Sequence, residues 1–192
     1  MSKAPFGYAV VNLGCKVNRV EADGFERLLG ERGGAPAPEG AADLIIVNTC
    51  TVTGEADKKT RKAVRHALSA NDGARIVVTG CATEIDAATY KAMGERVRVV
   101  PKAGMALFLN EMELPGSDSS SSDLTAHGGR SSVLPSDGRT RVGVKVQDGC
   151  DNACTYCIVH VARGRATSRP ANEVVAEAAA LARAGVREIV LT

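Results

Sequence analysis

The sequence predicts an α/β protein built on a parallel sheet. Short β-branched runs alternate with helix-length segments over the first hundred residues. Those runs are apolar throughout rather than at every second residue, as in strands covered on both faces. A further strand–helix–strand unit follows a Ser- and Gly-rich tract.

The first run is residues 8–13, Tyr-Ala-Val-Val-Asn-Leu, stopped at Gly14. Residues 44–47 and 76–78 give two more, and residues 97–100 a weaker fourth. Helical segments are expected between them at about residues 20–30, 53–69 and 85–93, with Leu107 and Leu109 in a last helix. Beyond residue 139, residues 142–146 read as a strand and 171–184 as a helix, with Asn172 as N-cap and Gly185 as its stop. Residues 188–191 read as another strand. A β–α–β run halted there reads as a piece of a longer α/β protein, because it leaves a sheet face unburied. Residues 113–138 hold eight serines, Ser117, Ser119 to Ser122, Ser131, Ser132 and Ser136, with Gly116, Gly128, Gly129 and Gly138. Such a tract buries too little apolar surface to offset its chain entropy. The expected organisation is a first domain over 1–112, a flexible linker over 113–138 and the start of a second domain over 139–192.

Composition narrows the function. The 192 residues carry a net charge of +2, which argues against a general polyanion-binding sheath. A 44% hydrophobic share excludes disorder of the whole chain, while 3% aromatics and no Trp leave a core of Ala, Val, Leu and Ile. No apolar run approaches the ~20 residues of a membrane span, and the first residues do not read as a signal peptide. The expected compartment is the cytoplasm, where thiols stay reduced. Six cysteines there point to metal or catalysis rather than disulfides.

Cys15, Cys50 and Cys81 each follow one of the three strong strand signals. Ligands of open parallel sheets bind at the carboxyl ends of strands, and neighbouring strands lie ~4.8 Å apart. Three thiols at equivalent ends therefore face one small volume; the alternative is three small buried hydrophobes. Cys150, Cys154 and Cys157 make a C-x3-C-x2-C pattern after a strand. Three close thiolates suit an iron–sulfur cluster with one iron left without a protein ligand. Zinc, a Cys154/Cys157 redox pair, or His160 as fourth ligand are the rivals.

The same stretches resemble a known family. The C-x3-C-x2-C pattern with Tyr156 before its last cysteine resembles the radical S-adenosylmethionine enzymes. Gly14-Cys15-Lys16-Val17-Asn18, Asn48-Thr49-Cys50-Thr51-Val52-Thr53, Thr79-Gly80-Cys81, the run from Lys145 to Cys150 and Ala162-Arg163-Gly164-Arg165 resemble the motifs of the methylthiotransferases within that superfamily. The resemblance covers about residues 7–112 and 139–192. It implies a Rossmann-like N-terminal parallel-sheet domain followed by the first β/α unit of a radical SAM partial barrel. It implies two [4Fe–4S] clusters, one on Cys150, Cys154 and Cys157 that binds and cleaves S-adenosylmethionine, with Tyr156 near the cosubstrate. The other, on Cys15, Cys50 and Cys81, serves sulfur insertion. The implied partners are tRNA and an electron donor, with no membrane. The Cys-Lys-Val-Asn form of the first motif is similar to the branch forming the 2-methylthio derivative of N6-threonylcarbamoyladenosine beside the tRNA anticodon. Alternatives are isopentenyladenosine in tRNA, a ribosomal protein aspartate, or a non-enzymatic iron–sulfur carrier. A zinc-stabilised RNA-binding module is disfavoured by the scarce aromatics.

Several polar residues stand near these motifs. Arg163, Arg165 and Arg169 read as a basic cluster for RNA phosphate. Lys58, Lys59, Arg61, Lys62 and Arg65 follow Glu55 and Asp57, which also fits simple dipole complementation along a helix. Asn18 and Asn48 flank the upstream cysteines and suit hydrogen bonds there or in turns. His160 reads as a partly exposed histidine or a donor to a cysteine sulfur.

Overall fold

A computed structural model of the chain describes residues 6–50, 54–113 and 141–192. The expected linker lies outside the described residues except for Glu113. In chain order the first region runs β1 (Gly7–Asn12), α1 (Lys16–Glu31), β2 (Ala35–Pro36), β3 (Leu44–Thr49), α2 (Gly54–Ala70) and β4 (Arg75–Gly80). It continues with α3 (Cys81–Ile85), α4 (Ala87–Lys91), β5 (Val97–Val99) and α5 (Met105–Glu111). The second region comprises β6 (Arg141–Val144), β7 (Gln147–Asp148), α6 (Val159–Arg163), β8 (Thr167–Ser168), α7 (Ala171–Arg183) and β9 (Glu188–Leu191).

The first region is the expected α/β domain. Its five strands are all parallel, in the order β2-β1-β3-β4-β5. The order reverses between β1 and β3, which makes their carboxyl ends the switch point where such sheets bind ligands. Every residue of β3 is buried. Its side chains alternate between two cores. Leu44 and Ile46 pack with Leu28 and Leu29 of α1 and Met105 and Leu109 of α5. Ile45 and Val47 pack with Val64 and Ala67 of α2 and Tyr90 of α4. Burial of both faces explains why the strand has no polar alternation, and each such side chain contributes about 1.5–3 kcal/mol relative to exposure.

In the second region β6 and β9 pair in parallel, with Val142 opposite Ile189. The crossover helix α7 buries Leu181 against Val142, Val144 and Val186. This is one β–α–β unit, as expected. A short antiparallel pair, β7 with β8, closes the base of the 149–166 segment that carries the C-x3-C-x2-C pattern.

Four elements depart from the sequence expectation. Helix α1 begins at Lys16 rather than near residue 20, because Cys15 takes the extended N-cap conformation and its carbonyl accepts from Arg19 N at 3.0 Å. The expected helix over 85–93 is two short helices. Asp86 breaks them apart, and its carboxylate caps α4 by accepting from Thr89 N at 3.1 Å. Asn172 lies inside α7 and is not its N-cap; Pro170 occupies that position, and its ring fixes φ and supplies no backbone donor for the helix to satisfy. The strand expected over 142–146 ends at Val144.

Tyr90 fastens α4 to α2. The ring is buried, and its hydroxyl donates to Asp57 Oδ1 at 2.5 Å. Burial and the neighbouring Asp57 carboxylate both push the phenol above its ordinary value. The folded state therefore holds this proton more tightly than the unfolded chain. Its contribution is complete below the unfolded pKa near ~10 and fades as pH rises from there toward the folded value. Tyr90→Phe is expected to lower the unfolding free energy by about 1.5–3 kcal/mol at neutral pH. The gap between variant and wild type should shrink above pH ~10 in denaturant titrations.

Candidate metal centre

Parallel strands deliver the upstream cysteines to one edge. Asn12 of β1 sits opposite Asn48 of β3, which sits opposite Thr79 of β4. Cys15 lies three residues past Asn12, while Cys50 and Cys81 immediately follow Thr49 and Gly80. Cys50 and Cys81 are buried, and Cys15 is exposed. Gly80 adopts φ +105°, and a Cβ there would run into the backbone of Thr49 and the side chain of Asn48. Only glycine lets β4 approach β3 this closely just before Cys81 turns into α3.

Asn18 and Asn48 knit this edge together. Asn18 Nδ2 donates to Asn48 Oδ1 at 3.2 Å and to the Thr49 carbonyl at 2.9 Å, while Asn48 Nδ2 donates to the Asn18 carbonyl at 2.7 Å. The Cys15 thiol donates to Asn18 Oδ1 at 3.3 Å. One buried amide thus touches the segment of Cys15 and the residue before Cys50.

The second cysteine set lies on the loop between β7 and α6. Cys154 is exposed, Cys150 and Cys157 are half-buried, and Tyr156 is 90% exposed. The loop is held at its ends. Cys150 N donates to the Gly164 carbonyl and Cys157 N to the Cys154 carbonyl, both at 3.0 Å. Gly149 adopts φ +73°, where a Cβ would collide with the Arg165 carbonyl. All six thiols are free. Among the described residues, no group of three or more His, Cys, Asp and Glu side chains stands in metal-holding geometry.

Between the two sets lies a lattice of ions that the sequence reading did not assemble. Arg163 Nη1 meets Asp148 Oδ1 at 2.9 Å and Glu21 Oε1 at 3.3 Å, and Nη2 donates to Asn18 Oδ1 at 2.9 Å. Lys145 Nζ meets Asp148 Oδ2 at 2.6 Å and Glu21 Oε1 at 3.1 Å; Lys102 Nζ meets the same two oxygens at 3.2 and 3.0 Å. Burial alone would push the Asp148 carboxyl up, but Lys145, Lys102 and Arg163 hold it well below the usual carboxylate range. Burial likewise opposes the charge of Arg163, yet the Glu21 and Asp148 carboxylates keep the guanidinium protonated beyond its already high ordinary value. Burial raises the Cys81 thiol, while the positive charges of Arg163 and Lys102 pull it part of the way back down.

The three arginines read as one RNA-facing cluster separate in space. Arg163 is only 7% exposed and Arg169 14%, the latter bonded through Nη1 to Glu177 at 2.7 Å. Arg165 is 92% exposed beside Asp151. Of the three, Arg165 alone presents its charge to solvent; the other two are consumed by internal carboxylates. His160 is half-buried, and its Nδ1 has no partner among the described residues. On helix α2, Lys59 and Arg61 pair with Glu55 and Asp57 one turn earlier, as plain charge complementation along a helix requires.

Residues 7–101 match the family model described as uncharacterized protein family UPF0004, and residues 144–192 match the radical SAM superfamily. The chain belongs to the radical SAM methylthiotransferase family. The threonylcarbamoyladenosine tRNA methylthiotransferase MtaB of Chlamydia pneumoniae is 34% identical over 186 residues, covering 96% of this chain and 42% of that protein. The protein of the same name from Bacillus subtilis is 34% identical over 194 residues, covering 94% and 42%. A tRNA-2-methylthio-N(6)-dimethylallyladenosine synthase of Sphingopyxis alaskensis is 33% identical over 200 residues, covering 99% and 44%. The chain thus spans under half the length of the curated relatives it matches. No helix among the described residues is long and apolar enough to cross a membrane.

Radical SAM membership implies S-adenosylmethionine and a [4Fe–4S] cluster. The donors on the C-x3-C-x2-C loop suit such a cluster: three free thiols within eight residues, one of them exposed. Buried polar atoms without partners adjoin both cysteine sets, His160 Nδ1 beyond Cys157 and Thr79 Oγ1 before Cys81. Such atoms are normally satisfied, and a sulfide-bearing group on the C-x3-C-x2-C loop would offer His160 Nδ1 a partner.

The thiols should differ in reactivity. In the metal-free chain at neutral pH, Cys15 and Cys154 are expected to alkylate first, with Cys50 and Cys81 slower by roughly tenfold or more, following their exposure. Peptide mass spectrometry after timed iodoacetamide labelling reads this directly.

Proposed function

We propose that the protein acts in tRNA methylthiolation, on the base N6-threonylcarbamoyladenosine beside the anticodon. The observation that carries this reading is the pairing of two three-cysteine sets across one ion lattice, on a chain of this family. A single set would serve cosubstrate cleavage alone. A second, at the switch point of a separate sheet domain and facing the first through Arg163, supplies the place for a sulfur source.

In this reading Cys150, Cys154 and Cys157 hold one [4Fe–4S] cluster, and Cys15, Cys50 and Cys81 hold a second. What the cofactors supply when bound is one-electron cleavage of S-adenosylmethionine, because an aromatic C–H bond resists acid–base chemistry. The chain's own residues do the placing. Tyr156 offers an exposed ring face at the mouth of the cysteine loop. Arg165 offers an exposed guanidinium for a phosphate. Asn18 holds the segments of Cys15 and Cys50 together. The threonylcarbamoyl base is favoured by the Gly14-Cys15-Lys16-Val17-Asn18 motif. The dimethylallyl base is the second reading, supported by the Sphingopyxis relative at nearly the same identity.

Deleting the gene from its organism and digesting total tRNA to nucleosides tests the substrate. The expected result is loss of 2-methylthio-N6-threonylcarbamoyladenosine with accumulation of the unthiolated nucleoside. Loss of the 2-methylthio dimethylallyl nucleoside instead would transfer the assignment to that base. After anaerobic reconstitution, the protein should hold about eight irons, falling to about four when either Cys50 or Cys154 becomes Ala.

A further inference from the structure

Arg163 occupies a place that no short-range motif explains. It closes α6, two turns after Cys157, yet its side chain reaches across to the other region. Its Nη2 donates to Asn18, the amide that also receives the Cys15 thiol and bonds the carbonyl before Cys50. Its Nη1 meets Asp148, two residues before Cys150, and Glu21 of α1. The backbone beside it is equally committed, since the Gly164 carbonyl accepts from Cys150 N at 3.0 Å. One guanidinium therefore bonds to the amide that ties the segments of Cys15 and Cys50 together and to the entry of the downstream cysteine loop.

The planar fork explains the residue type. Two carboxylates and an amide oxygen approach from different sides, and the Nη donors face them together. An ammonium of similar reach would match the carboxylates but lose the fixed geometry toward Asn18. Lys102 and Lys145 already serve the same carboxylates, so charge balance alone does not require Arg163.

We infer that Arg163 is a positioning residue that fixes the distance and orientation between the two cysteine sets. This rests on the reading that each set holds a cluster, and it adds that their mutual placement is set by one side chain rather than by the sheet. It also places a positive charge beside the upstream set, which stabilises the more negative, reduced form of whatever group is held there.

The test uses Arg163→Met and Arg163→Lys, with Arg169→Met as the control for loss of a buried arginine–carboxylate pair elsewhere in the second region. In the metal-free protein, amide hydrogen exchange should rise about tenfold or more in both residues 16–21 and residues 147–164 of Arg163→Met. Arg169→Met should raise it only around residues 145–146 and 169–177, where its own partners lie. In the reconstituted protein, Arg163→Met should keep its iron but lower the midpoint potential of the upstream cluster and change the spin–spin coupling between the two reduced clusters in electron paramagnetic resonance. Arg163→Lys should restore the potential but not the coupling. Exchange confined to residues 147–164 overturns the inference, as does Arg169→Met matching Arg163→Met in both measurements. Unchanged coupling in Arg163→Met also overturns it. A wild-type protein that reconstitutes only one cluster defeats the two-cluster reading instead, and the exchange measurement then still decides whether Arg163 joins the two cysteine regions.

Discussion

Parallel pairing is the constraint on which the rest of this molecule depends. Adjacent strands β1, β3 and β4 run the same way and in close register, so their last residues reach one edge together. Helices cover both faces, which leaves the edge as the place where the chain can hold polar chemistry without breaking the cores. The three upstream cysteines, Asn18, Asn48 and Thr79 all gather there. Their positions follow from strand polarity rather than from any local attraction among them. The same constraint explains why Gly80 is required. Two strands ending side by side leave no room for a side chain where one of them turns immediately into a helix.

The ion lattice at that edge is poorly suited to be a source of stability. Glu21, Lys102, Lys145, Asp148 and Arg163 are all largely withdrawn from water. Desolvating such groups costs several kcal/mol per ion, and mutual attraction often does no more than offset it. Apolar residues of similar volume would join two surfaces at least as firmly. What they would not provide is direction. A guanidinium facing two carboxylates and an amide accepts few relative placements of its neighbours, whereas aliphatic side chains slide and repack. The lattice is best understood as a device for register, and register matters where two reactive groups must meet.

The strands and the superfamily were legible because each is a local signal. Leu44-Ile45-Ile46-Val47 announces a doubly covered strand by composition, and C-x3-C-x2-C marks the radical SAM segment by spacing. The misreadings arose where a single residue outweighed the pattern. Asp86 interrupts a run whose periodicity continues through it, and Pro170 starts a helix that Asn172 appeared to cap. Strand β2 is two residues long and includes Pro36, which reads as loop and pairs only because it lies at the sheet edge. Arg163 was hidden for a different reason. Its partners Glu21 and Asn18 lie 142 and 145 residues away, so nothing within its own segment distinguishes it from exposed Arg165. A cluster in sequence became three unrelated environments in space.

The two cysteine sets share an asymmetry that bears on access. Cys50 and Cys81 are buried while Cys15 is exposed; Cys150 and Cys157 are half-buried while Cys154 is exposed. Each set therefore has an inner pair held by the fold and an outer thiol facing solvent. A group gripped in this way is anchored at the back and approachable from the front, which a redox carrier enclosed on every side would not be. Tyr156 and Arg165 are exposed on the same downstream segment as Cys154, so a flat ring, a positive charge and an accessible ligand are presented together. In the proposed reading, the ring offers a base a stacking face and the guanidinium offers a phosphate a counter-charge. Arg163, in contrast, is almost wholly buried. Its burial suits a residue that holds its neighbours in place, and the exposure of Tyr156 and Arg165 suits residues that face outward.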